Sequence, residues 1–212
     1  MLFGYLPLLF LLIVGAVYFH NHPDAASRAR FLRRTGFGFM ALVTVIFAVF
    51  VIGETVSDPG GLAAAGWIAA WLIPLVGLIL LARYLPSVAL RVFVALTLAV
   101  LAVTVWAVAA SDSWRSFEDD HGPVRTIMVF VVSAALGVYG LRRPREAGWL
   151  LVTLGVLPLA LSSLARNLAL GSLAAAVTPA LIAGPLYLIA AYLDPGTARA
   201  PPSRPKDRLG VG

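Results

Sequence analysis

The stretch 20–53, HNHPDAASRARFLRRTGFGFMALVTVIFAVFVIG, changes character once. Up to Thr35 it is polar and carries Arg28, Arg30, Arg33 and Arg34. From Gly36 to Gly53 it holds no charged residue. A bilayer core takes about 20 apolar residues of helix, and hydrocarbon offers the backbone no hydrogen-bond partner outside a helix or a closed barrel. A barrel strand would alternate apolar and polar residues. This run is continuously apolar, so it reads as a transmembrane helix with a basic foot.

The same unit recurs along the chain. Apolar runs at 2–19, 62–82, 88–110, 126–141, 147–165 and 172–193 join 36–53 to make seven expected spans, 126–141 being the shortest. The expected fold class is therefore an all-α membrane protein, a seven-transmembrane-helix bundle over residues 1–193. Residues 194–212, DPGTARAPPSRPKDRLGVG, read as a disordered basic tail. Composition agrees. With 60% hydrophobic and 12% charged residues among 212, the chain lacks the polar surface a soluble domain of this size would need.

The basic residues orient the bundle. Arg28, Arg30, Arg33, Arg34, Arg83, Arg91, Arg142, Arg143, Arg145, Arg199, Arg204, Lys206 and Arg208 all fall in alternate connections or the tail. Only Arg115, Arg125 and Arg166 fall on the other side. Lys and Arg near span ends are retained in the cytoplasm, so the amino terminus is expected outside and the carboxyl tail in the cytoplasm. No positive charge precedes the run 2–19 while four Arg follow it, the reverse of a cleavable signal, so this run is expected to remain as a span. The net charge of +6 is spread over short segments at span ends. That suits anionic lipid headgroups and not nucleic acid. Fifteen Arg against one Lys points to a bacterial chain and an inner (cytoplasmic) membrane location.

Interfacial rings fit this frame: Trp67, Trp106 and Trp114 towards the outer face, Tyr18, Tyr84, Tyr139, Trp149 and Tyr192 towards the inner one. Recurring Leu-Arg-Arg segments (Leu32–Arg34 and Leu141–Arg143) and paired Pro74 and Pro185 suggest a 3+1+3 parallel repeat. In that plan spans one to three match spans five to seven, as in parallel-repeat transporters. Ala176, Ala180 and Gly184 put small residues on one face of the last span, a surface suited to close approach by another membrane protein. Pro179 and Pro185 in that span predict a kink.

Chemistry-bearing motifs are sparse. No Asp, Glu, Lys, Arg or His lies in the middle of a span, which argues against a midplane proton relay. The lone Lys206, in the tail, rules out a retinal Schiff base within the helices. The absence of Cys removes disulfides and thiolate chemistry. His20, His22 and His121 lie on opposite sides, so no three-His metal centre forms; His20-x-His22 with Asp24 reads as a polar helix exit. Glu118-Asp119-Asp120-His121 lacks the spacing of a calcium loop and reads as part of a solvated outer segment, 111–125. No enzyme signature or cofactor motif is present, and no cofactor or metal is expected.

The sharpest pair is Glu54 and Arg166, each ending a span at the outer face. An ion pair in a partly dehydrated mouth could act as a latch or substrate clamp, with Ser162, Ser163 and Asn167 as neighbouring hydrogen-bond groups. The alternative reading makes both ordinary interfacial charges at helix ends. Thr178, like Thr44, Thr97, Thr104, Ser133 and Thr153, would either bond to its own helix backbone or line a path for a weakly polar solute. The functional expectation is a transport-related permease, or a membrane subunit or accessory of a transporter for a neutral or hydrophobic solute. The alternative is a non-catalytic structural or regulatory partner of another membrane protein; an intramembrane lipid enzyme ranks last. A polar cavity at the bundle centre would favour the first, a dry centre the second.

Overall fold

The computed structural model describes residues 19–21, 24–57, 61–163 and 170–194. Every element among them is a helix: α1 (Ala25–Ser57), α2 (Gly61–Tyr84), α3 (Pro86–Ala109), α4 (Ser111–His121), α5 (Val124–Gly140), α6 (Pro144–Ser163) and α7 (Leu170–Leu193). Five of these are long and apolar enough to cross a membrane, and six if the bent pair α4–α5 is one span. That is the helical architecture an integral membrane protein requires. The expected first span, 2–19, lies outside the described residues but for its last residue, and the tail 195–212 lies wholly outside them.

Local chemistry sets the helix boundaries. Asp24 caps α1, its carboxylate accepting the Ser27 amide at 2.8 Å. Those Ser27 hydrogen bonds hold the Asp24 carboxyl below its ordinary value of 3.8. The helix then runs unbroken for 33 residues, about 50 Å at 1.5 Å per residue. Arg28, Arg30, Arg33 and Arg34 therefore ride on a helical extension of the expected span 36–53. Between α2 and α3 the chain breaks at Leu85 (φ −127°, ψ 63°) because Pro86 disfavours helical geometry in the residue before it. The segment 111–125 is not a loop. Most of it forms α4, which meets α5 at 79° across Gly122-Pro123. Gly122 adopts φ +77°, and its amide donates to the Glu118 carbonyl at 2.8 Å.

The core lies between α3, α5, α6 and α7, with Phe93, Leu136, Tyr139, Leu151, Leu154, Val177 and Tyr187 filling its centre. The most extensive helix pairing is α6 against α7, and glycine makes it possible. A methyl group added at Gly184 would sit 2.8 Å from Val152 Cγ2 and 3.1 Å from the Val152 amide nitrogen. On α6, one added at Gly155 would sit 2.6 Å from Leu181. Small residues thus bring two backbones together where lipid supplies no hydrophobic incentive. Tyr187 adds a polar pin, its hydroxyl donating to the Gly137 carbonyl at 2.6 Å. A smaller cluster, Trp71 and Leu75 against Val131 and Ala134, ties α2 to α5. α7 continues through Pro179 and Pro185 as one helix.

The pairs that a 3+1+3 repeat would relate pack unequally. α6 and α7 lie along each other, while their would-be counterparts α1 and α2 touch sparingly. α1 also packs broadly on α7, but the corresponding pair, α6 and α2, shares no comparable interface. Outward-facing side chains are apolar: Leu42, Val45, Ile46, Val49 and Phe50 form an exposed band on α1. Trp67, Tyr84, Trp106, Trp149 and Tyr192 are exposed, as interfacial rings should be, but Trp114 and Tyr139 are core residues.

Candidate functional site

Basic side chains tie elements together at one end of the bundle. Arg33, near the start of α1, pairs with Asp194 just beyond α7 at 3.0 Å. Arg142, in the α5–α6 corner, donates to the Arg83 carbonyl at the end of α2. The basic residues belong to the set expected on one side of the membrane, and the two contacts join four chain regions in pairs.

The opposite end holds the least expected group. Arg125 is the second residue of α5, directly after the Gly122-Pro123 bend. The sequence reading had grouped it with the outer connector residues, yet its side chain is only 1% exposed. Nη1 donates to Ser162 Oγ on α6 at 3.0 Å, and Ser162 is itself fully buried. Nε has no hydrogen-bond partner among the described residues. Glu118 on α4 lies near enough for its charge to attract the guanidinium. Beside them Trp114 is buried, packing edge-on to Trp106 at 5.1 Å and against Phe117 at 5.4 Å. Its indole nitrogen also lacks a partner among the described residues.

The bend explains how a charge became buried. An arginine one turn inside a straight span could lay its stem along the helix and reach the interface. Here the chain bends by 79° just before Arg125, and Ser162 of α6 meets the guanidinium from the side. The sequence held one usable sign: the expected span 126–141 was the shortest and began right after an arginine.

The other expected site residues fall as follows. Ser162 is part of the site, but its partner is Arg125. Ser163 is exposed and donates to the Ala160 carbonyl at 2.7 Å. Thr178 is exposed and donates to the Ala174 carbonyl at 2.7 Å, so its hydroxyl is spent on its own helix. Thr97 and Thr104 do likewise within the core, at 2.7 and 2.8 Å. Arg166 and Asn167 lie outside the described residues, as does the side chain of Glu54, although its backbone is part of α1. Ala176, Ala180 and Gly184 are buried against the chain's own helices, so this face is used within the bundle and is not open to a partner. No group of three His, Asp or Glu that could hold a metal occurs among the described residues.

The sequence matches no protein-family model, and neither a curated protein nor a solved structure resembles the chain closely enough to count as a match.

Proposed function

We propose that this chain is a non-catalytic, multi-pass subunit or accessory of another membrane protein. It sits in a bacterial cytoplasmic membrane with its amino terminus outside and its carboxyl tail in the cytoplasm. An accessory of a transporter for a neutral or hydrophobic solute fits that role better than a free-standing permease. The observation that carries this reading is the filled centre of the bundle. Phe93, Leu136, Tyr139, Leu151, Leu154 and Val177 occupy the middle, and the buried threonines Thr97 and Thr104 turn their hydroxyls back to their own carbonyls. A solute path needs polar groups held free to replace lost water. A dry, close-packed core serves instead to hold a rigid shape.

Purified protein reconstituted into proteoliposomes is expected to take up glycerol, sugars and short alcohols no faster than protein-free vesicles. Deleting the chain in its host is expected to deplete one or a few other membrane proteins selectively. Saturable, protein-dependent uptake by the chain alone would overturn the proposal, and so would a membrane proteome left unchanged by the deletion.

A further inference from the structure

We infer that Arg125 and Ser162 form a binding site for a phosphate-type oxyanion, carried by a membrane lipid headgroup or present as free phosphate. Three features of the fold point the same way. First, the guanidinium is withdrawn from water, and among the described residues its one hydrogen-bond acceptor is the neutral hydroxyl of Ser162 at 3.0 Å, with Nε unpaired. Burying an ion costs several kcal/mol unless a counter-charge with good geometry offsets it. Second, the charge sits in the first turn of α5, where the helix dipole is positive; the Val124 and Ile127 amides donate to the Gly122 and Pro123 carbonyls, which leaves those of Arg125 and Thr126. A cation there is opposed by its own helix. An anion seated beside it would satisfy both the guanidinium and the helix terminus. Third, with Nη1 held by Ser162, the Nε edge of the guanidinium carries the donor still unmet among the described residues. A planar guanidinium meets two oxygens of one phosphate through such an edge.

The surroundings favour phosphate over other oxyanions. Trp106, Trp114 and Phe117 form an aromatic group at the same end, with centroid separations of 5.1–6.2 Å. Trp106 is the exposed member, and an exposed indole settles at the headgroup level of a bilayer, where lipid phosphates lie. Among the described residues Glu118 is the competitor for the role of counter-ion. Its charge acts on Arg125, but Nε stays unbonded. On this inference Glu118 weakens anion binding by repulsion.

The test uses the full-length chain in non-ionic detergent, with binding followed by calorimetric titration. Three probes separate the sources: inorganic phosphate, dihexanoyl phosphatidylglycerol, and phosphate-free dihexanoylglycerol as control. At least one phosphate probe is expected to bind and the control is not. Binding of the lipid alone assigns the site to a headgroup, whereas binding of inorganic phosphate shows that the acyl chains are dispensable. Arg125→Lys keeps the charge but loses the fork, and is expected to weaken binding about tenfold or more. Ser162→Ala, which decides the matter if the lysine variant fails to fold, is expected to weaken it several-fold. Glu118→Gln is expected to tighten it. Wild-type protein that binds neither phosphate probe better than the control overturns the site. So does binding unchanged in both Arg125→Lys and Ser162→Ala. A Glu118→Gln chain that melts lower and binds no tighter would make Glu118 the internal counter-ion and likewise overturn it.

Discussion

Buried hydroxyls among the described residues include several with a partner and, at Ser133, one without. Thr44, Thr97 and Thr104 each bond to the carbonyl four residues earlier, at 2.7–2.8 Å. The donor and acceptor lie on the same helix turn, so that outcome was readable from residue type and helical geometry. Ser133 is different: it is buried on α5 and its oxygen has no partner among the described residues. Replacing such a group by an apolar one of similar size removes an unmet desolvation cost. Ser133→Ala is therefore expected to leave stability unchanged or raise it by up to about 1 kcal/mol, read as a thermal midpoint in detergent. A clear fall in midpoint would mean that the hydroxyl has a partner in the folded protein. Arg125 lies at the other extreme of legibility. Nothing in its neighbours along the chain, Val124 and Thr126, foretells a side chain 1% exposed, because its cover comes from α6 and α4.

Two elements departed from what their sequences suggested, each for a packing reason. Segment 111–125 is polar and short enough to pass for a loop. It is helical because Trp114 and Phe117 fall on one face and find Trp106 of α3 to pack against. The small-residue face of α7 was correctly read as a place of close approach, but its partner is α6 of the same chain. Spacing reveals that a helix can be approached closely and says nothing of which helix does so. Gly184→Ala is expected to cost about 1–3 kcal/mol, because the new methyl would press on the backbone of Val152 and the carbonyl of Gly148, which cannot swing aside. Gly77→Ala in α2 meets nothing within 4 Å. It is expected to be neutral or to stabilise by up to about 1 kcal/mol through helix propensity. Equal melting shifts for the two variants would refute the α6–α7 seam as a close contact.

Across the whole molecule, charge is partitioned by end. Contacts of Arg33 with Asp194 and of Arg142 with the Arg83 carbonyl gather one set, while Arg125 lies with α4 at the other end. Because the chain has no Cys, single cysteines report topology without background. Ser113→Cys on α4 is expected to react with a membrane-impermeant maleimide on intact cells. Ser203→Cys in the tail is expected to react only after permeabilisation. The opposite labelling pattern would invert the bundle. The 3+1+3 plan finds no support in the helix contacts at this scale. It rested on similar span ends, and apolar spans with basic feet resemble one another whether or not their packing is related.

What the sequence determined by itself was the class of structure and the place of its helices, because both follow from local quantities. Apolar length sets a span, proline and glycine set its ends, and basic residues collect at one level. The last six expected spans all have their helix, down to the break at Leu85-Pro86. Only the tertiary structure decided which faces meet, that the centre is filled by apolar side chains, and that a guanidinium is buried against Ser162 of another helix. Those depend on contacts between residues far apart in the chain, such as Arg125 with Ser162 and Tyr187 with Gly137. In a membrane the hydropathy pattern cannot foretell them, since lipid-facing and core-facing side chains are equally apolar.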